Sequence, residues 1–242
     1  MRMMHAWMAP FCALLLVLAP GAAAAPDPSL PGLEQNLAFP FVGDLIASKR
    51  GDSIAWVGRQ NGVRNLWVAG GADFQPRQVT DSRDDDGQEL TSLALSPDGR
   101  RIAWVRGGDH DSNWEAEGHL QPNPASGVEQ PHLTVWTADV AGGAPREVAE
   151  GDAPAITNSG RIAFVREGKA WIAEPGAKPE RLFFDRGDVQ GLAWSPDGQR
   201  LAFVSDRGDH SFVGIYSGKG RPILWLAPST GRDDNLVWSA DG

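Results

Sequence analysis

The chain has 242 residues, a formal net charge of −9 and one cysteine, Cys12. An acidic chain without a basic patch argues against nucleic acid or an anionic membrane as a partner. A single cysteine excludes a disulfide framework, so the fold must rely on a sheet core.

Residues 1–25 have the composition of a secretory signal peptide. Arg2 precedes a short apolar run at 11–19, and the small residues of PGAAAA offer a cleavage position near Ala24 or Ala25. The apolar run is too short to cross a membrane as a mature helix. We therefore expect a cleavable signal peptide.

Export without disulfides favours the bacterial periplasm over a eukaryotic secretory route. Cys12 lies at the start of the apolar run and not at the cleavage position, so we expect no lipid anchor. The predicted protein is periplasmic or secreted, with a signal peptide at 1–25 and one domain, an incomplete propeller, at 26–242.

A strand motif with an aromatic residue recurs four times, each time after a glycine turn. Its copies are SIAWV, RIAWV, RIAFV and RLAFV, at Ser53–Val57, Arg101–Val105, Arg161–Val165 and Arg200–Val204. The turn glycines, Gly51, Gly99, Gly160, Gly198 and Gly242, follow at intervals of 48, 61, 38 and 44 residues. In the turn sequence SPDG, Pro presets φ, Asp hydrogen-bonds nearby backbone and Gly takes a left-handed φ. Apolar runs on both sides of such a turn predict a β-hairpin.

Two further strands complete each repeat. The third strands are NLWVAGG, LTVWTADVAGG, KAWIAEPGA and FVGIYSGKG, and the fourth are RQVTD, REVAE, ERLFF and ILWLA. Four short strands repeating at roughly 40–45 residues is the period of a propeller blade. One meander cannot bury both of its faces, so neighbouring meanders must stack. We predict an all-β fold, a partial β-propeller of four four-stranded blades plus the start of a fifth.

Most tryptophans fall on strand positions of this repeat, where we expect them to pack between blades. They are Trp56, Trp67, Trp104, Trp136, Trp171, Trp194, Trp225 and Trp238. Trp114 is the exception, because it lies in a loop.

The interval of 61 residues marks an insertion in the second repeat, Arg106–Pro131, between its second and third strands. In a four-stranded blade this connection shares a face with the links between blades. The acidic link Thr80–Glu89 and the loop Ser205–Ser211 should open on that same face. Propellers place binding on such loops, with the strands as rigid support.

Acidic and histidine residues on these loops raise the question of a metal site. The candidate ligands are Asp109, His110, Asp111, Asp209 and His210. Their spacing fixes no tetrahedral site. The sequence DDDG at Asp84–Gly87 fails as a calcium loop, because Leu93 stands where a Glu is required. We expect no metal and no cofactor, and we expect Asp84–Gly87 to be a solvated loop of repelling charges.

A catalytic centre is not evident in the sequence. No G-x-S-x-G pentapeptide occurs, since Ser217 in IYSGKG lacks the leading glycine. The sequence also has no phosphate-binding P-loop, and helices do not alternate with strands. We expect no catalytic residue in this chain.

The repeats LSPDGRRIAWV and WSPDGQRLAFV resemble those of TolB and of the prolyl oligopeptidase family. WSPDGQRLAFVSDRGDHSFVGIY, LAPSTGRDDNLVWSADG and NWEAEGHLQPNP most resemble exported dipeptidyl-peptidase-IV-type enzymes of that family. The resemblance implies a propeller that precedes an α/β-hydrolase domain with Ser, Asp and His. It also implies that this chain is the front part of such a serine peptidase, truncated before the catalytic domain. The alternative is a TolB-like periplasmic binding propeller with no enzymatic activity.

The same resemblance suggests a substrate-binding site. Dipeptidyl-peptidase-IV-type enzymes hold the free α-amino group of a peptide substrate with propeller glutamates, and an ammonium ion leaving water needs carboxylate acceptors. The candidates here are Glu115 and Glu117 in NWEAE, with Trp114 as a wall. The family's glutamates are usually adjacent, whereas Ala116 separates these two, and an inserted acidic loop can also be solvated surface.

Overall fold

A computed structural model describes residues 32–107 and 132–242. The chain divides into two compact units, Met1–Asn36 and Leu37–Gly242. The first unit is described only from Gly32 and carries most of the short helix α1 (Leu33–Leu37). No helix within the described residues is long and apolar enough to cross a membrane.

Sixteen strands in the described residues of the second unit form four antiparallel sheets of four strands each. Sheet 1 contains β1 (Phe41–Ala47), β2 (Ser53–Gln60), β3 (Val63–Gly70) and β4 (Arg77–Gln78). Sheet 2 contains β5 (Leu90–Leu95), β6 (Arg101–Arg106), β7 (Thr134–Asp139) and β8 (Arg146–Glu150). Sheet 3 contains β9 (Asp152–Ile156), β10 (Ile162–Arg166), β11 (Lys169–Ala173) and β12 (Glu180–Arg181). Sheet 4 contains β13 (Asp188–Trp194), β14 (Leu201–Asp206), β15 (Ser211–Tyr216) and β16 (Leu224–Leu226).

Each sheet is a simple meander, because its strands pair in sequence order. This is the strand order of a propeller blade, and the predicted all-β propeller of four blades is confirmed. The first strand of each blade is its inner strand. Consecutive inner strands contact one another, as β1 does β5, β5 does β9 and β9 does β13.

The glycine turns form as the sequence predicts. In the second blade, the Gly99 amide donates to the Ser96 carbonyl at 2.8 Å, and the Ser96 hydroxyl donates to Asp98 at 2.7 Å. Gly198 and Ser195 make the same backbone bond at 2.8 Å. Gly99 has φ of 69°, in the left-handed region that favours glycine.

Every inner strand carries a β-bulge at the same distance before its turn. The bulged residue has a positive φ and stands seven positions before the turn glycine in each repeat. These residues are Asp44, Ser92, Ala153 and Gly191 in the four blades. Their common position means that the bulge belongs to the repeat and not to one loop.

Neighbouring blades pack through two different faces of the second strand. We call the face with Ile102 and Trp104 in blade 2 the front face, and the face with Ala103 and Val105 the back face. The back face of blade 1 packs on the front face of blade 2, and the pattern repeats from blade 2 to 3 and from blade 3 to 4. As a result the second-strand segments Ile102–Trp104, Ile162–Phe164 and Leu201–Phe203 are all buried.

The tryptophan prediction is confirmed for five strand tryptophans, which pack in or against the clusters between blades: Trp104, Trp136, Trp171, Trp194 and Trp225. Trp56 and Trp67 lie on the front face of blade 1 and belong to none of these clusters. Trp238 lies outside any strand. Its indole nitrogen nevertheless donates to the Ala193 carbonyl at 2.8 Å, as Trp194 donates to Ala155 at 3.0 Å.

Residues 235–242 repeat the geometry of an inner strand without forming one. Asn235 has φ of 53° and stands seven positions before Gly242. The Gly242 amide donates to the Ser239 carbonyl at 3.1 Å, as in the other turns. The Arg200 guanidinium stacks 4.9 Å from the ring of Trp238. The predicted start of a fifth blade therefore has the local conformation of the repeat.

Candidate functional site

The loop face is the end of the blades at which second strands meet third strands and one blade leads into the next. In blade 1 this end holds the β2–β3 turn, with Gly62, and the link to blade 2, residues 79–89. Asn65 at the start of β3 fixes the link, since its side chain bonds the Thr80 hydroxyl at 2.9 Å and the Ser82 amide at 2.8 Å. The expectation that the acidic link opens on this face is therefore correct.

A buried carboxylate lies under this link. Glu89 is fully buried and accepts hydrogen bonds from Arg59 at 2.9 Å and from Arg64 at 3.0 Å. Arg64 also binds Asp85 at 2.8 Å. Hydrogen bonds from the Gly87 amide and from Arg64 hold the pKa of Asp85 below its usual value. Charge-assisted bonds of this kind are short and strong, so the link is held in one place.

Arg106, the last residue of β6, extends the same network. It donates to Gln88 at 3.1 Å and to Asp86. We call Arg59, Arg64, Asp85, Asp86, Gln88, Glu89 and Arg106 the loop-face cluster. The predicted loop at Asp84–Gly87 is solvated, because Asp84, Asp85 and Asp86 are exposed, but its charges do not simply repel one another, since Asp85 pairs with Arg64 and Asp86 with Arg106. Asp81 instead pairs with Arg83 at 3.1 Å, within the exposed link.

The insertion leaves from this cluster and returns beside it. The amide of Gly107, where it departs, donates to the Glu89 carbonyl at 3.2 Å. On its return, the Leu133 carbonyl accepts from the Gly151 amide at 2.9 Å, and His132 bonds Glu150 at 3.1 Å. A side chain at Gly107 would collide with the His132 carbonyl, so the two arms lie in direct contact. The insertion has a stem that is fixed on the loop face.

The predicted substrate-binding residues Glu115, Glu117 and Trp114 lie outside the described residues, as does the predicted signal peptide. Asp109, His110 and Asp111 also lie outside. The structure describes the two ends of the insertion, at Gly107 and at His132. Within 32–107 and 132–242, no three His, Cys, Asp or Glu side chains are grouped as metal ligands.

Blade 4 has a second charged group on its loop face, and sequence reasoning missed it as it missed Glu89. Asp185, in the link before β13, is buried and accepts from Arg207 at 2.8 Å and from the Ser205 hydroxyl. Asp209 and His210, in the loop between β14 and β15, have side-chain atoms 2.5 Å apart, and the His210 ring lies tilted against Phe212 with the ring centroids 4.8 Å apart. One sequence feature is common to the two buried acids, because each lies shortly before an inner strand. Glu89 is one residue before β5, and Asp185 is three residues before β13.

Fold and site together define a β-propeller-type domain with an anchored insertion on its loop face. No protein-family profile matches the chain. Coronin-7 from Bos taurus is 38% identical over 77 residues, which is 31% of this chain and 8% of that protein.

Solved structures resemble a larger share of the chain. TolB from Acinetobacter baumannii matches 78% of this chain and 44% of its own with a TM-score of 0.52 and 16% identity. A prolyl endopeptidase matches 81% of this chain and 30% of its own with a TM-score of 0.57 and 16% identity. At these identities the likeness shows the fold, a β-propeller of the kind found in TolB and in prolyl endopeptidases. The chain spans less than half of each of these relatives.

Proposed function

We propose that this chain is the substrate-gating propeller of an exported serine peptidase, with bond cleavage carried out by an α/β-hydrolase domain. One observation carries the proposal: the insertion leaves and re-enters the loop face on a stem that is fixed to the loop-face cluster. Gly107 and His132 lie in contact, and the Glu89 carbonyl holds the departing strand. A loop anchored in this way can present side chains to a peptide in a fixed position.

The chemistry proposed for the insertion is capture of a free α-amino group. Glu115 and Glu117 supply carboxylates, and Trp114 supplies an apolar wall for the adjoining side chain. The stem itself does not compete for the ammonium group, because the carboxylates of Glu89 and Asp85 are already engaged by arginines. The proposal places the protein in the periplasm or outside the cell, where peptide substrates are met after export.

Peptide binding by the chain tests this function without the hydrolase domain. A fluorescently labelled tetrapeptide with a free amino terminus and the same peptide acetylated are titrated against the purified chain, with anisotropy as the readout. We expect at least tenfold tighter binding of the free peptide, since acetylation removes the charge. Equal binding of the two peptides, or binding of neither, would refute the gating function.

The glutamates are tested separately in the same assay. Glu115→Gln and Glu117→Gln should each reduce the preference for the free amino terminus, because an amide is a weaker acceptor for an ammonium group than a carboxylate. Glu147→Gln is the matched control, since Glu147 is an exposed glutamate on β8. A preference that survives in both variants would show that Glu115 and Glu117 are surface residues.

A TolB-like binding propeller without an enzymatic partner is the second candidate. The likeness to TolB over 78% of the chain supports it at the level of the fold. Such a module recognises a folded protein, so failure of both peptides to bind would favour it over the gating function.

A further inference from the structure

A wide cleft separates blades 1 and 2 at the end of the blades opposite to the loop face. We call this end, where first strands turn into second strands and third strands into fourth strands, the turn end. The cleft has a volume of about 770 Å³, whereas the matching cleft between blades 2 and 3 has about 210 Å³. Each cleft has a blade on both sides, so the difference arises from the residues that line them. A cleft of the larger size suits a ligand or a short peptide segment.

An arginine occupies the narrower cleft. Arg101, the first residue of β6, donates to the Asn158 carbonyl in the turn of blade 3, and its Nε lies 3.5 Å from Asp139. A Cβ on Gly160 of that turn would lie 3.3 Å from the same Nε, so the arginine packs directly on the turn. A guanidinium presents its donors in a fixed fork, which allows it to bind a carboxylate and a carbonyl at once.

Blade 3 repeats this arrangement. Arg161 stands at the position of Arg101. It donates to the Gly198 carbonyl in the turn of blade 4 at 3.1 Å and to Glu174 at 2.9 Å. Its guanidinium also lies 4.8 Å from the ring centroid of Trp194. A guanidinium that bridges a carboxylate at the end of the third strand and the turn of the next blade is therefore a recurrent feature of this fold.

Blade 1 has small residues at both of these positions. Ser53 stands at the position of Arg101. Its pairing partner is Gly70, whereas the pairing partner of Arg101 is Asp139. The Ser53 hydroxyl lies beside the turn of blade 2, because a Cβ on Gly99 would lie 2.6 Å from its Oγ. The wide cleft thus keeps the turn of the next blade but has neither the arginine nor the third-strand carboxylate.

Two other carboxylates line the wide cleft. Asp52 comes directly before β2, and Asp98 lies in the turn of blade 2. Each uses Oδ1 within its own turn, since Asp52 accepts from the Ser48 hydroxyl at 2.9 Å and Asp98 from the Ser96 hydroxyl at 2.7 Å. A Cβ on Gly99 would lie 2.9 Å from the Asp52 Oδ1, so the two acids come from different blades to one turn. Their Oδ2 atoms have no hydrogen bond within the part of the chain that the structure describes.

The cations on the wall of the cleft do not satisfy these two carboxylates. Arg77 donates to the Val140 carbonyl at 2.6 and 3.1 Å, and Arg101 is bound by the turn of blade 3. Arg100 is exposed, and water screens its charge. The cleft therefore offers carboxylate oxygens to a cation that comes from outside the chain.

We propose that this cleft binds an arginine side chain of a polypeptide partner. The guanidinium takes the place in the cleft that Arg101 and Arg161 take in the next two clefts, with Asp52 and Asp98 as acceptors. Hydrogen bonds between a guanidinium and carboxylates are charge-assisted and strong. The binding group is an arginine and not a lysine, because the equivalent sites are built for a planar fork.

The size and lining of the cleft favour a polypeptide as the source of the arginine. One side chain fills only part of about 770 Å³, and Val68, Ala69 and Val140 line the cleft as well, where flanking residues of a peptide would pack. The turn end lies opposite to the loop face. This inference therefore does not rest on the proposed gating function.

An NMR titration of the isotope-labelled full chain tests the proposal. Short peptides with a central arginine, citrulline or lysine are compared, and both ends of each peptide are capped so that no free amino group takes part. We expect the arginine peptide to shift the amide signals of Gly70, Gly99 and Gly142 and to bind at least tenfold more tightly than the neutral citrulline peptide. Equal binding of these two, or binding of neither, overturns the proposal. A lysine peptide that binds as tightly as the arginine peptide would refute a guanidinium site.

Two mild variants locate the acceptors. Asp52→Asn and Asp98→Asn should each weaken binding of the arginine peptide at least fivefold, because an amide is a weaker acceptor for a guanidinium than a carboxylate. Asp81→Asn is the matched control, since Asp81 is an exposed aspartate on the loop face. An affinity that both cleft variants retain would contradict the assignment.

Ser53→Arg supplies from within the chain the arginine that the other blades carry. This variant should lose binding of the arginine peptide while it stays folded, and full binding by the folded variant would overturn the proposal. If the added bulk beside Gly99 prevents folding, the two asparagine variants decide the outcome.

Arg161→Ser provides the converse measurement. It opens the cleft between blades 3 and 4 and leaves Glu174 and the Gly198 carbonyl as acceptors. This variant should bind a second arginine peptide, and a stoichiometry that stays at one peptide per chain would count against the proposal.

Discussion

Replacing Glu89 by Gln tests whether the loop-face cluster holds the domain together. The carboxylate is fully buried and receives hydrogen bonds from two guanidiniums at 2.9 and 3.0 Å. Removing one partner of a buried ion pair leaves an uncompensated charge and costs roughly 3–5 kcal/mol. Arg59 and Arg64 keep some access to water, so we expect the lower end, a loss of about 3 kcal/mol.

Thermal unfolding followed by circular dichroism measures this loss. For a domain of this size each kcal/mol lowers Tm by about 2–4 °C, so Glu89→Gln should lower it by about 6–12 °C. Asp81→Asn is the matched control, because the pair of Asp81 with Arg83 is largely exposed at both ends and is worth under about 1 kcal/mol.

A double-mutant cycle assigns the effect to the ion pair itself. Glu89→Gln combined with Arg64→Gln should cost less than the sum of the single changes by about 1 kcal/mol or more, since the two side chains are in contact. A Tm for Glu89→Gln within 1 °C of the unaltered protein would refute the reasoning.

Three further predictions concern the core, the turns and export. The Trp104 indole nitrogen has no hydrogen-bond partner among the described residues, and Phe164 and Phe203 occupy the same position in other blades. Trp104→Phe should therefore lower the free energy of unfolding by under about 1.5 kcal/mol, as measured by urea unfolding. Phe203→Ala should cost about 3–5 kcal/mol, and equal losses for the two variants would contradict this account. Burial raises the pKa of Asp98, but hydrogen bonds from the Ser96 hydroxyl and the Arg100 amide lower it more, so the net pKa lies below 3.8. Because the pKa is lowered in the folded state, Asp98 stabilises the fold at pH values above 3.8, and this contribution is lost as the pH falls through the pKa of the folded state. Asp98→Asn should therefore flatten the acid limb of the curve of Tm against pH. An unchanged limb would disprove the role of this carboxylate. When the chain is expressed in a bacterium, it should lose its first 24 or 25 residues. Mass spectrometry of the periplasmic fraction measures this loss, and an intact Met1 in that fraction would count against export.

The repeat was predictable because its chemistry is local. A glycine with left-handed φ, an aspartate that bonds its own turn and a short apolar strand act within about ten residues, and the spacing of Gly99 and Gly198 places each hairpin. The segments Ile102–Trp104 and Leu201–Phe203 are continuous apolar runs because both faces of the second strand pack against blades. The loop-face cluster was not predictable in this way. Glu89 and Arg59 are thirty residues apart, and only the folding of a link over a hairpin brings them together.

The sequence by itself determined the blades, their number in this chain and the position of the insertion, because each depends on short-range pattern and on the interval between turns. The tertiary structure decided which charges are solvated and which faces are covered. The string TDSRDDDGQE looks uniformly exposed in one dimension, yet Glu89 is buried and Asp81 is not, since burial depends on what packs above a residue. Likewise Trp56 and Trp104 occupy identical positions in their strands and differ only in whether a neighbouring blade lies over them.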